Sequence, residues 1–177
     1  VLYDDNILAR ARRVRLFVCD VDGVLTEANV TMGTGAETKT FNIRDGLGLR
    51  LLQSEAGIRV GWVSARPSDA TSFRAKDLQI DFVHQSSTPK VQAIEDLLRE
   101  TRLTWDQILY MGDDVVDLGA LRRAGLAAAP ADAIPEAKAL AQFITVNPGG
   151  RGAVREAVEL VLKAQGHWER IIEKFSS

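Results

Sequence analysis

Short apolar, β-rich runs alternate along this chain with stretches whose apolar residues recur every three or four positions. The runs Val14–Asp20, Ile58–Ser64, Asp81–His84, Ile108–Gly112 and Leu126–Ala129 predict strands, with a shorter one at Phe143–Val146. Helical spacing predicts helices over Leu47–Glu55, Ser68–Leu78, Lys90–Thr101, Val116–Ala124, Pro135–Ala141 and Ala153–Gln165. Strand and helix in turn form βαβ units, which build a parallel sheet with helices on both faces. The predicted fold class is therefore α/β, a doubly wound, Rossmann-like parallel sheet. Thr88-Pro89 marks one helix start, with Thr88 as the cap and Pro89 in the first helical position.

The alternation breaks between Thr26 and Phe41. There Asn29-Val30-Thr31-Met32 and Glu37-Thr38-Lys39-Thr40-Phe41 flank Gly33-Thr34-Gly35. Two β-like stretches around a glycine-containing turn predict a hairpin flap over about 28–41, too short to be a separate cap domain. At the other end, Trp168, Ile171, Ile172 and Phe175 fall on one face of a helical tail over about 166–177. That face packs either on the domain's own core or on a neighbouring subunit.

Composition narrows the class. A chain of 177 residues reads as one domain, 1–177, with room for a substantial core. The net charge of −2 gives no general attraction to nucleic acid or to an anionic membrane. No apolar stretch approaches the length of a membrane span. The first residues read as neither a signal nor a transit peptide. The single cysteine, Cys19, lies inside an apolar strand and reads as a core residue rather than a nucleophile. Together these features favour the cytoplasm.

The candidate chemistry gathers at predicted strand ends, where ligands bind in open parallel sheets. Asp20-Val21-Asp22-Gly23 follows the first strand, Ser64 closes the second, and Gly112-Asp113-Asp114-Val115-Val116-Asp117 follows the fourth. Carboxylates this close need a cation or a shared proton. An all-oxygen set suits Mg²⁺, whereas zinc is disfavoured in a chain with two histidines and no cysteine cluster. Lys90 sits in a first helical turn, where its charge opposes the helix dipole but could meet a phosphate. Each feature also has an ordinary explanation: an acidic turn bent at Gly23, a helix cap at Asp113 or Asp114, a solvated Lys90, a bare Ser64.

Taken in order, Asp20-x-Asp22, Ser64, Lys90 and Gly112-Asp113-Asp114-x-x-Asp117 resemble the four signatures of the haloacid dehalogenase (HAD) superfamily. Ser64-Ala65 departs from the Thr-Gly or Ser-Gly of many relatives. A narrower resemblance rests on Phe41-Asn42-Ile43-Arg44-Asp45-Gly46, Ser64-Ala65-Arg66 and Gly149-Gly150-Arg151-Gly152-Ala153-Val154-Arg155-Glu156. These segments are similar to the capless 3-deoxy-D-manno-octulosonate 8-phosphate phosphatase family of lipopolysaccharide precursor synthesis.

The resemblance implies an aspartyl-phosphate mechanism. Asp20 would be the nucleophile and Asp22 the general acid and then base. Lys90 and Ser64 would stabilise the transferring phosphoryl group. Mg²⁺ would be held by Asp20, the backbone carbonyl of Asp22, and Asp113, with Asp114 and Asp117 in support. Asn42, Ile43, Arg44, Asp45, Gly46, Arg66 and Arg74 would bind the sugar phosphate together with Asp22 and Lys90. Taken one by one, Arg44, Arg66 and Arg74 read more readily as solvated surface arginines. The eight-residue spacing of Arg66 and Arg74 would bring them to one face if both were helical.

The resemblance also implies a homotetramer in which the hairpin closes a neighbour's active site. Arg66 favours the eight-carbon substrate, since a glutamate is expected there in nine-carbon relatives. The alternatives are such a nine-carbon phosphatase and a catalytically silent oligomerisation module. A phosphorylation-receiver domain is disfavoured, because its acidic pair precedes its lysine and here Asp113-Asp114 follows Lys90.

Overall fold

A computed structural model describes residues 3–33, 35 and 37–177. Six parallel strands form the main sheet in the order β5-β4-β1-β6-β7-β8. They are β1 (Leu16–Cys19), β4 (Arg59–Ser64), β5 (Phe82–Gln85), β6 (Ile108–Met111), β7 (Leu126–Ala129) and β8 (Phe143–Ile144). All six predicted strands are present, β7 with the predicted bounds and the others trimmed or shifted by one or two residues at their ends. The chain runs from β1 outward through β4 to β5, then returns to the other side of β1 for β6, β7 and β8. The winding direction reverses between β1 and β6, and a crevice opens at such a point beyond the carboxyl ends of the strands.

Alternation along the strands feeds two cores. Phe17, Cys19, Val60, Trp62, Leu109 and Met111 face one side, against α2 (Ile43–Ala56), α3 (Asp69–Asp77) and α7 (Ala153–Ala164). Leu16, Val18, Ile108 and Tyr110 face the other, against α4 (Lys90–Thr101), α5 (Leu118–Leu121) and α6 (Pro135–Leu140). The first core also takes Ala11 of α1 (Asp5–Arg13) and Ile171 of α8 (Trp168–Ser176). No helix among the described residues is long and apolar enough to cross a membrane.

Several local readings need correction. Helix α2 starts four residues before the predicted Leu47, because Asn42 caps it by accepting the Arg44 and Asp45 amides at 2.8 and 3.3 Å. The stretch predicted as one helix over Val116–Ala124 is a 3₁₀ turn, Val115–Asp117, followed by the single turn α5. Thr88 does not cap α4. Its hydroxyl accepts from Ser86 instead, and Pro89 stands in the cap position with Lys90 first in the helix. Helix α1 is absent from the predicted elements, although Ile7, Leu8 and Ala11 carry a short apolar stripe that packs on the first core. The tail is helical as predicted, with Ile171 buried in the domain's own core and Ile172 and Phe175 exposed.

The hairpin is present as β2 (Thr31–Met32) and β3 (Glu37–Thr38), antiparallel, with Thr31 opposite Thr38. Thr34 and Ala36 of the predicted turn lie outside the described residues.

Candidate active site

Strand register brings the distant signatures together. Cys19 pairs with Trp62 on one side and Met111 on the other, so Asp20, Ser64 and Gly112-Asp113 emerge along one edge. Asp20 continues the ladder, donating its amide to Met111 O at 3.0 Å. Beyond it the chain turns sharply. The amides of Val24, Leu25 and Thr26 all converge on the carbonyl of Val21. Gly23 takes φ +89° there, and a Cβ on it would run into the Asp113 carboxylate. The Gly149-Gly150 segment closes over this turn, with Gly150 N–H donating to Val24 O at 2.9 Å.

At the centre Lys90 bridges two carboxylates, Nζ lying 2.7 Å from Asp20 Oδ2 and 2.6 Å from Asp117 Oδ1. All three side chains are buried. Burial alone would push the ammonium's pKa down, but the Asp117 and Asp20 charges outweigh it and hold Lys90 above its usual value. Burial pushes Asp20 up to about 6 against the opposing pull of Lys90. Asp113 is raised further, to about 8, by burial and then by the negative charges of Asp117 and Asp20. The signature's position at a helix start thus makes structural sense: α4 aims its first side chain into the crevice.

Asp117 has no capacity left for a ligand. Its Oδ1 accepts from Lys90 and, at 2.5 Å, from the Tyr110 hydroxyl. Its Oδ2 accepts the amides of Asp113 and Asp114 at 3.0 and 3.1 Å. This carboxylate ties β6, the 3₁₀ turn and α4 into one frame. Asp114 is exposed and accepts the Val115 amide at 2.6 Å, which makes it the cap of the 3₁₀ turn.

One oxygen each of Asp20, Asp113 and Asp117 lies within 4.8 Å of the others. Asp113 Oδ1 is buried and has no hydrogen-bond partner. A partnerless buried carboxylate oxygen fits a hard divalent cation: Asp113 Oδ1 is free for it, and Asp20, whose Oδ1 accepts the Val21 amide at 2.6 Å and whose Oδ2 faces Lys90, keeps one lone pair on each oxygen where Asp117 is filled.

Asp22 stands two residues further, less enclosed. Lys39 Nζ approaches its Oδ1 at 2.7 Å, an ion pair outside hydrogen-bond geometry, and an Arg66 nitrogen lies 3.7 Å from its Oδ2. Arg66 also pairs with Glu37 of β3, whose other oxygen accepts from Ser68 Oγ at 2.7 Å. These contacts draw the Glu37 carboxyl down to about 2, the Arg66 bond being the main cause. Neither Glu37 nor Lys39 was foreseen at the site. Their only signal is an i, i+2 spacing on one face of a predicted strand.

Ser64 is buried at the end of β4. Its hydroxyl accepts the Arg66 amide at 3.2 Å and donates to the Arg66 carbonyl at 3.0 Å. Arg66 lies in the β4–α3 loop, not on the helix, because Ser68 caps α3 by accepting the Thr71 amide. The helical-face relation expected between Arg66 and Arg74 therefore does not hold. Arg74 is on α3 and pairs with Asp77 at 2.5 Å, while its Nε is buried without a partner.

The segment Asn42–Gly46 divides by role. Asn42 spends its side chain capping α2. Asp45 is buried and accepts the Gly152 and Arg155 amides at 3.2 and 2.7 Å, docking α2 on α7. Gly46 leaves room for Arg74, whose guanidinium a Cβ would meet at 2.6 Å. Ile43 and Arg44 point outward and line a separate cavity of about 790 Å³ with Arg151, Arg155 and Glu159.

Comparison with known proteins agrees with this geometry. Residues 62–156 match the model of the haloacid dehalogenase-like hydrolases. A 3-deoxy-D-manno-octulosonate 8-phosphate phosphatase of Yersinia pestis is 39% identical over 166 residues, covering 93% of this chain and 88% of its own. The crystal structure of such a phosphatase from Moraxella catarrhalis, in complex with magnesium, phosphate and KDO, superposes with a TM-score of 0.94 at 35% identity. It covers 98% of this chain and 99% of that one. A cobalt-bound structure from Haemophilus influenzae gives 0.85 at 35% identity, covering 89% and 92%.

Proposed function

The chain belongs to the haloacid dehalogenase-like hydrolases, within the family of the 3-deoxy-D-manno-octulosonate 8-phosphate phosphatases, and on that premise we propose how its residues perform the reaction. The chain is a Mg²⁺-dependent phosphatase that releases the free eight-carbon sugar acid and phosphate, a step in lipopolysaccharide precursor synthesis. One observation carries this reading: a buried lysine bridges the first and last signature carboxylates beside a partnerless Asp113 oxygen at the sheet's reversal point.

Asp20 attacks phosphorus in line, forming an aspartyl-phosphate and breaking the bond to the sugar oxygen. Asp22 gives its proton to that departing oxygen, then takes one from the water that hydrolyses the intermediate. Lys90 neutralises charge on the transferring group, and the Ser64 hydroxyl, turning from Arg66, adds a donor. Bound Mg²⁺, held by Asp20, Asp113 and the Asp22 carbonyl, supplies charge that offsets repulsion between the nucleophile and a phosphate dianion. Asp114 and Asp117 hold the loop from outside the metal shell. Arg66 and Arg74 read the substrate's carboxylate and sugar end. Guanidinium groups suit this, since they hold a carboxylate through paired hydrogen bonds. Asn42–Gly46 complete the substrate surface, with Ile43 and Arg44 the members left free to do so across a subunit boundary. We place the reaction in the cytoplasm and in a homotetramer.

The test is phosphate release from the eight-carbon and nine-carbon sugar phosphates, with Mg²⁺ and with chelator. Preference for the eight-carbon ester, lost on chelation and restored by Mg²⁺, is the expected result. Asp20→Asn should remove nearly all turnover while leaving the fold intact, because it relieves carboxylate repulsion. Near-native activity in that variant would sink the assignment. Arg66→Ala should weaken turnover of the sugar phosphate at least tenfold more than that of an aryl phosphate, by loss of about 1.4 kcal/mol or more of substrate binding. Equal losses would point to a phosphate or folding role instead.

A further inference from the structure

The hairpin strand β3 reaches into the chain's own site. Glu37 and Lys39, two apart on extended backbone, present their side chains to the same side. There they meet Arg66 and Asp22 in an alternating set of two acids and two bases. The Lys39 side chain is fully buried, and an ammonium so enclosed is stable only with its partners in place. Those partners are Asp22 Oδ1 at 2.7 Å, Thr71 Oγ1 of α3 at 3.1 Å and, further off, Glu37 at 3.8 Å. Asp22 for its part has no hydrogen-bond donor at Oδ1 with good geometry, and only a distant Arg66 nitrogen at Oδ2. A carboxyl group that must deliver a proton to one oxygen of a substrate needs a fixed orientation, and rotation about its side-chain bonds would misplace it.

We propose that Lys39 is a positioning residue for Asp22: it clamps Oδ1 from the hairpin and leaves Oδ2 directed at the oxygen that departs from phosphorus. The proposal rests on the phosphatase reading above. Thr71 anchors the lysine from α3, so hairpin, helix and acid form one unit. Glu37 holds Arg66 in the same way, which keeps that guanidinium from swinging onto Asp22. The hairpin thereby does part of the work that a cap domain would do.

The experiment compares kcat/KM for the sugar phosphate, whose alcohol needs a proton to leave, with p-nitrophenyl phosphate, whose phenolate does not. Lys39→Met should lose about 10- to 100-fold on the sugar phosphate and stay within about threefold on the aryl ester. Lys39→Arg should restore part of the loss. Thr71→Val, which keeps shape and charge and removes only the 3.1 Å anchor, should shift the same ratio in the same direction by a smaller amount. It decides the matter should Lys39→Met fail to fold. Equal losses on both esters, or none on either, would overturn the proposal, since a merely structural hairpin has no reason to sense the leaving group. Asp22→Asn is the reference. If that variant is itself indifferent to the leaving group, the acid role of Asp22 falls, and the inference about Lys39 falls with it for a separate and visible reason.

Discussion

Asp113 shows how this site sets function against stability at a single residue. Its carboxyl at about 8 lies above the ordinary 3.8 because burial and the charges of Asp117 and Asp20 penalise the ionised form. The folded chain without metal therefore binds a proton that the unfolded chain has already released between those values. Its stability falls as pH rises through that window, and the cost is complete above about 8. Asp113→Asn removes this cost. In chelator at pH 8 the variant should match or exceed the parent in unfolding free energy, by on the order of 1 kcal/mol, with the gap closing towards pH 4. In saturating Mg²⁺ the order should reverse, because only the parent gains stability from the ion. A parent more stable than the variant in chelator at pH 8 would show that Asp113 is not held against its charge.

At the scale of elements, the carboxyl ends of β1, β4 and β6 were readable because apolar runs stop there at Asp20, Ser64 and Gly112-Asp113. Lys90 was readable from its place at a helix start. The pairings that organise these residues were not. Tyr110 looks like one more core residue of β6, and only the fold shows its hydroxyl on Asp117. Lys39 meets Asp22 across a hairpin whose strands are two residues each, too short for a period to register. Arg66 and Arg74 misled because spacing implies a shared face only where the backbone is helical throughout. The Gly149-Gly150 crossing was visible as a motif but not as a contact. A Cβ on Gly149 would collide with the backbone carbonyl of Gly23, which cannot step aside as a flexible side chain can. Gly149→Ala should therefore destabilise the fold by about 2–4 kcal/mol and displace the turn carrying Asp22. Chemical denaturation checks the first expectation and Mg²⁺ affinity the second. An alanine variant of parental stability would show that the crossing yields.

The whole molecule leaves apolar surface that a single chain does not cover. Met32 at the hairpin tip is 75% exposed, and Ile43, Leu47, Ile172 and Phe175 stand exposed around α2 and α8. A cavity of about 350 Å³ opens there, walled by Leu47, Leu51, Trp168, Ile171, Ile172 and Phe175. A two-stranded hairpin is marginal in water on its own, and here its base is pinned by Glu37 and Lys39. In the homotetramer proposed above, the exposed Met32 would pair with equivalent hairpins around a symmetry axis, and the hairpin would close a neighbour's crevice. Without a cap domain, such closure is what would hold the sugar end of the substrate over Asp20 and so select it. The expected mass in light scattering is four chains of 19.4 kDa. Met32→Glu, which places a charge at the tip without touching Glu37 or Lys39, should shift the species towards smaller assemblies. It should also narrow the preference for the sugar phosphate over an aryl phosphate, since substrate selection would lose the neighbour's surface while the chemistry at Asp20 stays. A monomeric parent that discriminates fully between the two esters would show that one chain builds the whole site.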